Sequence, residues 1–218
     1  MPLGFLAQAD VLLAITAVGY SFCVMRFHVR VFVIAAFALG CSTALRAAVE
    51  SYTIDPVHSS IGFSIRHFVA KVPGRFTTFG GTIAVDRENP ANNRVEASID
   101  AAAIDTGNQK RDTHLRSEDF LEAGKFPAIK FKSTSWKKTG GDTYDVTGDL
   151  TIKDVTKPVV LKVTSLGFGP GGGGAQLSGW EATTTINKRE FNVNDPRMLD
   201  AALGDDVAVT INIEAKKT

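Results

Sequence analysis

The chain has 218 residues, enough for one domain and a short targeting segment. Its 24 Lys and Arg residues nearly balance its 23 Asp and Glu residues, which gives a net charge of +1. Nucleic-acid-binding domains favour a clearly basic surface, so this balance argues against a nucleic-acid partner.

The first 48 residues differ in composition from the rest of the chain. Residues 11–24 are almost wholly apolar, and Met25 is followed by two arginines and an apolar run that ends at Leu39. A basic start, a short apolar run and small residues at the end are typical of a secretory signal. Residues 1–48 are therefore predicted to be a signal segment, with Met25 as the true start, and cleavage is expected between about residues 44 and 48.

Two alternatives to this signal are a membrane anchor formed by residues 11–39 and a lipoprotein acylated at Cys41. The arginines interrupt the apolar run, and charged side chains are costly inside a bilayer. Cleavage is therefore preferred, and it predicts a periplasmic protein without a transmembrane span. Both cysteines, Cys23 and Cys41, lie in the signal segment, so the mature domain has no disulfide.

Apolar and polar side chains alternate in many stretches of residues 49–218. Clear examples are residues 60–66, 95–100, 144–152 and 206–214. A period of two predicts strands that have one apolar face and one wet face. Many such strands in series need a sandwich or a closed barrel to hide their apolar faces. Residues 49–218 are therefore predicted to form one all-β domain.

One region, residues 105–127, breaks this alternation. Asn108 suits the N-cap of a helix, and Gly124 suits its end. One or two short helices are predicted here, with Leu115 and Phe120 covering one end of the β structure. The acidic residues of the region are predicted to be helix-surface charges that pair with neighbouring Arg and Lys side chains.

The mature sequence contains no motif that demands catalysis. It has no G-x-S-x-G elbow and no cysteine nucleophile. The spacing of His58, His67 and His114 matches no common metal-binding pattern. The glycine-rich run at residues 169–174 lacks the Lys and Ser/Thr of a phosphate loop and is predicted to be a loose hairpin loop. Neither an enzyme nor a metal site is predicted.

Several stretches of the chain resemble the YceI-like family in the same order. They include SYTIDPVHSSIGFSIRH, AAAIDTGNQKRDTHLRSEDF and VTGDLTIKDVTKPVVLKV, and the resemblance covers nearly all of residues 51–218. It implies an exported, polyisoprenoid-binding protein with a lipocalin-like eight-stranded antiparallel β-barrel and an internal apolar tunnel. The implied ligand is a polyprenyl lipid or an isoprenoid quinone. No obligatory cofactor and no catalytic residue follow from the resemblance.

The alternation indicates which apolar side chains face inward, and the resemblance makes the space between them a tunnel. On residue patterns alone, inward side chains either fill such a barrel or leave room for a slender ligand. The predicted tunnel residues are Phe63, Ile65, Phe76, Phe120, Phe131, Val146, Trp180 and Ile186.

A polar or pyrophosphate head group would need cationic side chains near a tunnel mouth. The predicted candidates are Arg66, His67, Arg75, Arg111 and His114. Arg66 falls on the polar face of its strand, so the alternative is a solvated side chain.

Together these features predict an exported carrier that holds an isoprenoid lipid in an apolar barrel, with a homodimer as a compatible assembly. The alternatives are a quinone-dependent redox component and a stress-response protein whose barrel is packed solid.

Overall fold

The computed structural model describes residues 49–193 and 202–218, which belong to one compact unit. The predicted signal segment, with Met25, Cys41 and the expected cleavage site, lies outside the described residues. None of the helices in the described ranges has the length and hydrophobicity that a bilayer crossing requires.

Strands dominate the described residues, and one α-helix interrupts them. The helix, α1, spans Gln109–Arg116, and short 3-10 helices lie at Pro90–Asn92, Ala101–Ala103, Gly172–Gly174 and Lys188–Phe191. The strands are β1 (Glu50–Ile54), β2 (Ser60–His67), β3 (Ala70–Phe76), β4 (Phe79–Val85), β5 (Arg94–Asp100), β6 (Ile104–Asp105), β7 (Ala128–Lys138), β8 (Thr143–Ile152), β9 (Val155–Pro170), β10 (Gln176–Asn187) and β11 (Leu203–Lys217).

Eight of the described strands close into an antiparallel ring in the order β1–β4–β5–β7–β8–β9–β10–β11, and β11 pairs with β1 to complete it. The other three strands continue ring strands across short bends. β2 continues β1, because both strands pair with β11: Tyr52 of β1 pairs with Lys217, and Ile61 of β2 pairs with Ile211. β3 and β6 extend β4 and β5 in the same way. The predicted eight-stranded antiparallel barrel is confirmed.

The helical region caps one end of this barrel. The Asn108 side chain accepts a hydrogen bond from the Arg111 backbone N–H at 3.1 Å, as an N-cap does. The helix ends at Arg116 rather than at Gly124, so the predicted stop is wrong. The Ser117 hydroxyl donates to the His114 carbonyl at 2.7 Å, which turns the chain away after two turns of helix.

The residues after α1 and one acidic residue within it are buried. Phe120 is only 5% exposed and packs with Ile104 and Ile129, so the prediction that it covers one end of the β structure is confirmed. Asp112 is also buried, and it accepts hydrogen bonds from the backbone N–H and the hydroxyl of Thr106. The prediction of a surface charge is therefore wrong for Asp112, which instead fastens the helix to Thr106, the residue directly after β6.

The glycine-rich hairpin is tighter than its composition suggests. The predicted hairpin is confirmed, but β9 continues through Gly169 and Pro170, and the loop comprises only residues 171–175. Antiparallel pairing with Gln176 and Leu177 holds these last residues of β9. The glycine run therefore extends the wall of the barrel before it turns.

Candidate functional site

The barrel encloses a cavity of about 860 Å³. Inward side chains from around the ring form its wall, because alternate residues of each strand point to the same face. All eight predicted tunnel residues line the cavity, namely Phe63, Ile65, Phe76, Phe120, Phe131, Val146, Trp180 and Ile186. Their part in binding a ligand stays a prediction.

The burial of the inward side chains shows that this space is hollow. Val146 is fully buried at 0% exposure, as expected of a packed barrel interior. Phe131, Leu150 and Val209 also point inward, but each is only partly buried and lines the cavity. Because these positions lie inside the ring, their remaining exposed area faces the cavity. A solid packed barrel, one of the alternatives from the sequence, is inconsistent with this arrangement.

An aromatic cluster fills the end of the barrel away from α1. The Trp136 and Trp180 ring centroids lie 5.7 Å apart, and Phe168 lies 5.7 Å from Trp180 and 5.8 Å from Tyr52. The Trp180 indole N–H donates to the Ser178 hydroxyl at 3.1 Å. Among the described residues, the buried Trp136 indole N–H has no hydrogen-bond partner. These rings come from strands all around the barrel, so they close this end.

A charged network covers the outer side of the aromatic cluster and joins β1 to β11. The Glu50 carboxylate lies 2.7 Å from both the Lys217 ammonium and the Arg87 guanidinium, and it accepts the Tyr52 hydroxyl at 2.8 Å. These contacts, with Lys217 as the largest contribution, lower the pKa of Glu50 to about 2. Arg87 also stacks over the Phe168 ring at 4.0 Å from its centroid. The network therefore holds the ring closed at the filled end.

The polar part of the cavity wall lies at the opposite end, beside α1. Apart from Thr184, the described polar side chains that line the cavity are His67, Thr106, Asn108, Lys110, Arg111, Thr113, His114, Ser117 and Lys188. Several of them, including Lys110 and Arg111, are also exposed to solvent. A residue that both lines a cavity and is exposed marks an opening, so we call this end the mouth.

Three of the five predicted head-group residues lie at the mouth, and two do not. His67, Arg111 and His114 line the cavity. Arg66 lies on the outer face of the barrel, where it donates to the Phe68 carbonyl at 3.2 Å. Arg75 pairs on the surface with Asp105 at 2.9 Å. Both arginines therefore lie away from the cavity, because they fall on the outward parity of β2 and β3.

Contacts at the mouth orient its charged side chains. The Arg111 guanidinium donates to the Thr106 hydroxyl at 2.7 Å and to the Thr106 carbonyl at 2.8 Å. The His114 Nε2 atom lies 2.8 Å from an Asp119 carboxylate oxygen, and its ring meets Phe120 edge-on at 5.0 Å. Arg111 and His114 are thus held in place at the mouth without an added ligand.

Two lysines at the mouth were not among the residues predicted from the sequence. Lys110 lines the cavity from α1, and Lys188 lines it from the residue directly after β10. The Lys188 side chain is only 6% exposed, and its ammonium lies 3.1 Å from an Asp205 carboxylate oxygen. Lys188 follows Ile186 by two residues and thus shares its inward parity. Extending the alternation of β10 beyond Ile186, to polar as well as apolar residues, would have predicted that Lys188 faces inward.

A carboxylate–histidine cluster lies at the bend between β1 and β2, outside the mouth. The His58 Nδ1 atom is 2.8 Å from Asp55 and 3.7 Å from Glu214, and the ligand atoms of all three lie within 4.8 Å of one another. The Asp55 hydrogen bond and both negative charges raise the pKa of His58. The same contact lowers the pKa of Asp55. The cluster pins the bend to β11.

The geometry defines a closed eight-stranded β-barrel that encloses an apolar cavity with a cationic mouth at one end. Residues 52–215 match the model of the YceI-like domain. A UPF0312 protein of Photorhabdus laumondii is 42% identical over 160 residues, which cover 72% of this chain and 81% of that protein. The chain therefore belongs to the YceI-like family, as its sequence motifs predict.

Solved structures show the same fold. The crystal structure of BcnA from Burkholderia cenocepacia superimposes with a TM-score of 0.68 at 23% identity, covering 74% of this chain and 98% of BcnA. A polyisoprenoid binding domain from Saccharophagus degradans, implicated in plant cell wall breakdown, gives a TM-score of 0.59 at 15% identity. That match covers 78% of this chain and 99% of the domain. At these identities the likeness shows the fold.

Proposed function

We propose that this protein is an exported carrier that holds an isoprenoid lipid, either a polyprenyl chain or an isoprenoid quinone, with its tail in the barrel cavity. The observation that carries the proposal is the 860 Å³ cavity with an apolar wall and a single polar, cationic end. A solved relative in fold is described as a polyisoprenoid binding domain, which supports the same ligand class. The signal-like segment at residues 1–48 supports export to the periplasm.

The wall of the cavity suits a hydrocarbon tail. Between the aromatic cluster and the mouth, Thr184 is the polar side chain among the described wall residues. Each methylene moved from water into such a wall contributes about 0.8 kcal/mol. Affinity then grows with the length of the tail that fits inside, and little in the wall selects one tail of that length over another.

The mouth supplies the polar end of the ligand site. Lys110, Arg111 and Lys188 bring basic side chains to the mouth, and His67 and His114 add imidazole N–H donors. Arg111 is fixed through Thr106, so its guanidinium is preoriented. Such a group suits a phosphate or pyrophosphate, or a quinone carbonyl, held just outside the apolar wall.

Binding rather than catalysis is the activity this site supports. Family membership and a polyisoprenoid-binding relative both favour a binding protein. The wall offers apolar surface, and the polar mouth groups suit recognition of a head group. The proposal requires no obligatory cofactor.

Fluorescence tests this proposal directly, because both tryptophans of the chain, Trp136 and Trp180, line the cavity. Delipidated protein is titrated with isoprenoid quinones of increasing tail length while tryptophan emission is recorded, because a tail that fills the cavity reaches both indole rings at its filled end. The expected result is a saturable change in emission, with an affinity that rises with tail length until the cavity is full. An emission that does not change, or an affinity that does not depend on tail length, would contradict the proposal.

A further inference from the structure

The turn that joins β2 to β3 departs from three local rules of stability. We call residues 66–71 the hairpin tip. Arg66 and Lys71 stand directly opposite each other in the strand pair, and like charges in that position are destabilising. Phe68 has a φ of 49°, where a two-residue hairpin turn favours glycine. A sequence that breaks several such rules at one place indicates a functional constraint there.

The third departure is exposed apolar surface. Phe68 is 58% exposed and Val69 is fully exposed, and the two lie side by side at the end of the hairpin. The tip itself contains no acidic residue, and Arg66 and Lys71 are both exposed. The surface pocket that they line also holds Asp206 and Asp205, and Asp205 is paired with Lys188 and Arg189. The surface of the tip therefore combines two bare apolar side chains with two flanking positive charges.

The hairpin tip is held at the mouth of the cavity. His67, the residue before the turn, lines the cavity, and its ring meets Phe68 edge-on at 4.8 Å. The Phe68 backbone N–H donates to the Ala202 carbonyl at 2.7 Å, which fixes the turn against the start of β11. Lys110 and Arg111 add positive charge at the same opening.

We infer that the hairpin tip docks the mouth onto an anionic lipid bilayer. Phe68 and Val69 enter the interfacial region, where their removal from water is favourable. Arg66 and Lys71 face the lipid phosphates, which relieves the repulsion between them. A tail can then pass between bilayer and cavity without crossing water. The inference rests on the proposed carrier function and names the surface that the carrier loads from or delivers to.

Site-specific fluorescence distinguishes docking through the tip from binding elsewhere. Phe68→Trp places a reporter in the tip. Leu166→Trp is the matched control, because Leu166 is also apolar and 60% exposed but lies on β9, two residues before Phe168 of the aromatic cluster. The full chain is used, since the readout is local to each tryptophan. The probe is a vesicle of phosphatidylglycerol and brominated phosphatidylcholine, with wild-type emission subtracted.

Docking predicts a blue shift and strong quenching for Phe68→Trp with these vesicles, and little change for Leu166→Trp. Vesicles of brominated phosphatidylcholine alone should give much weaker quenching at equal lipid concentration. Equal quenching of both variants would overturn the inference, and so would a tip reporter that the vesicles leave unchanged. The latter result would also be expected if the tip instead bound a protein.

Neutralising the charges supplies an independent test. Each Lys or Arg near an anionic surface favours binding by about 1 kcal/mol, so Arg66→Gln with Lys71→Gln should weaken vesicle affinity roughly 30-fold. Circular dichroism and urea unfolding check that the double variant is folded, because the change removes the Arg66 bond to the Phe68 carbonyl as well as the like-charge pair. Unchanged vesicle affinity would overturn the inference.

The carrier function is measured separately in the same preparations, by mass spectrometry of bound lipid. Bound isoprenoid with an unquenched tip would refute docking alone. A quenched tip on a protein that binds no isoprenoid would refute the carrier function alone.

Discussion

Filling the cavity from its wall should displace ligand without destabilising the barrel. Ala97 lies on the inward face of β5, opposite Phe131 of β7, and it lines the cavity while remaining partly exposed. A cavity of roughly 150 Å³ is enough for a benzene ring, whereas this one measures about 860 Å³. The phenyl ring of Ala97→Phe therefore has space to enter.

The expected magnitudes follow from this space. Adding bulk to a packed core costs about 1–3 kcal/mol, and Ala97→Phe should cost less than about 1 kcal/mol in the ligand-free protein. Ala215 provides the control, because it is fully buried and does not line the cavity, so Ala215→Phe should cost the full 1–3 kcal/mol. Each ligand methylene forced from the wall costs about 0.8 kcal/mol, so losing two or three weakens binding roughly 15- to 60-fold.

Two measurements check this prediction. Urea unfolding of delipidated protein gives the free energy of unfolding of each variant, and the change in tryptophan emission on titration with a long-tailed isoprenoid quinone gives the affinity. The prediction is refuted if Ala97→Phe destabilises the barrel as much as Ala215→Phe does and leaves the affinity unchanged. Such a result would mean that the space beside Ala97 is neither open nor used by the ligand.

Three further predictions concern stability. Folding lowers the pKa of Glu50 from 4.5 to about 2, so its contribution is present above pH 4.5 and is lost as pH falls toward 2. With its side chain 20% exposed, Glu50→Gln should cost about 2 kcal/mol at pH 7. Glu96→Gln is the control, because Glu96 and its partner Lys132 have side chains that are 60% and 71% exposed. This control should cost less than about 1 kcal/mol, and equal losses for the two variants in urea unfolding would contradict the prediction. Phe120→Ala should cost about 3–5 kcal/mol, and a loss below about 1 kcal/mol would mean that the ring is not packed. Trp180→Phe should cost about 1 kcal/mol more than Trp136→Phe, because only the Trp180 N–H has a hydrogen bond to lose; a reversed order would contradict this.

Alternation made the inward face of the barrel predictable. A strand shows only two faces, so one apolar parity is enough to assign its inward residues. Phe63 and Ile65 on β2 and Ile186 on β10 line the cavity for this reason. The same rule places Arg66 on the outer face, which the sequence already offered as an alternative.

Whether the barrel is hollow was not predictable from alternation. Val146 and Leu150 share the inward parity of β8, yet the first is fully buried and the second is only partly buried. The difference depends on where each residue lies along the barrel axis and which rings lie opposite. That position follows from strand register and from the bends, which involve residues far apart in sequence.

The mouth was the hardest part of the site to predict, because it is assembled from separate segments. His67 ends β2, Arg111 lies on α1, and Lys188 follows β10, so no local motif joins them. Lys188 is buried beside Asp205, although charged residues usually lie on the surface. Only closure of the ring brings these cations to one opening.

The most direct test of the account is mass spectrometry of the lipid extracted from protein produced in its native cell and compartment. A carrier of this kind should hold close to one isoprenoid chain per protein molecule, either a polyprenyl lipid or an isoprenoid quinone, and Ala97→Phe should hold less. Extracts that contain no lipid, or that contain only fatty-acyl lipids in wild type and variant alike, would contradict it.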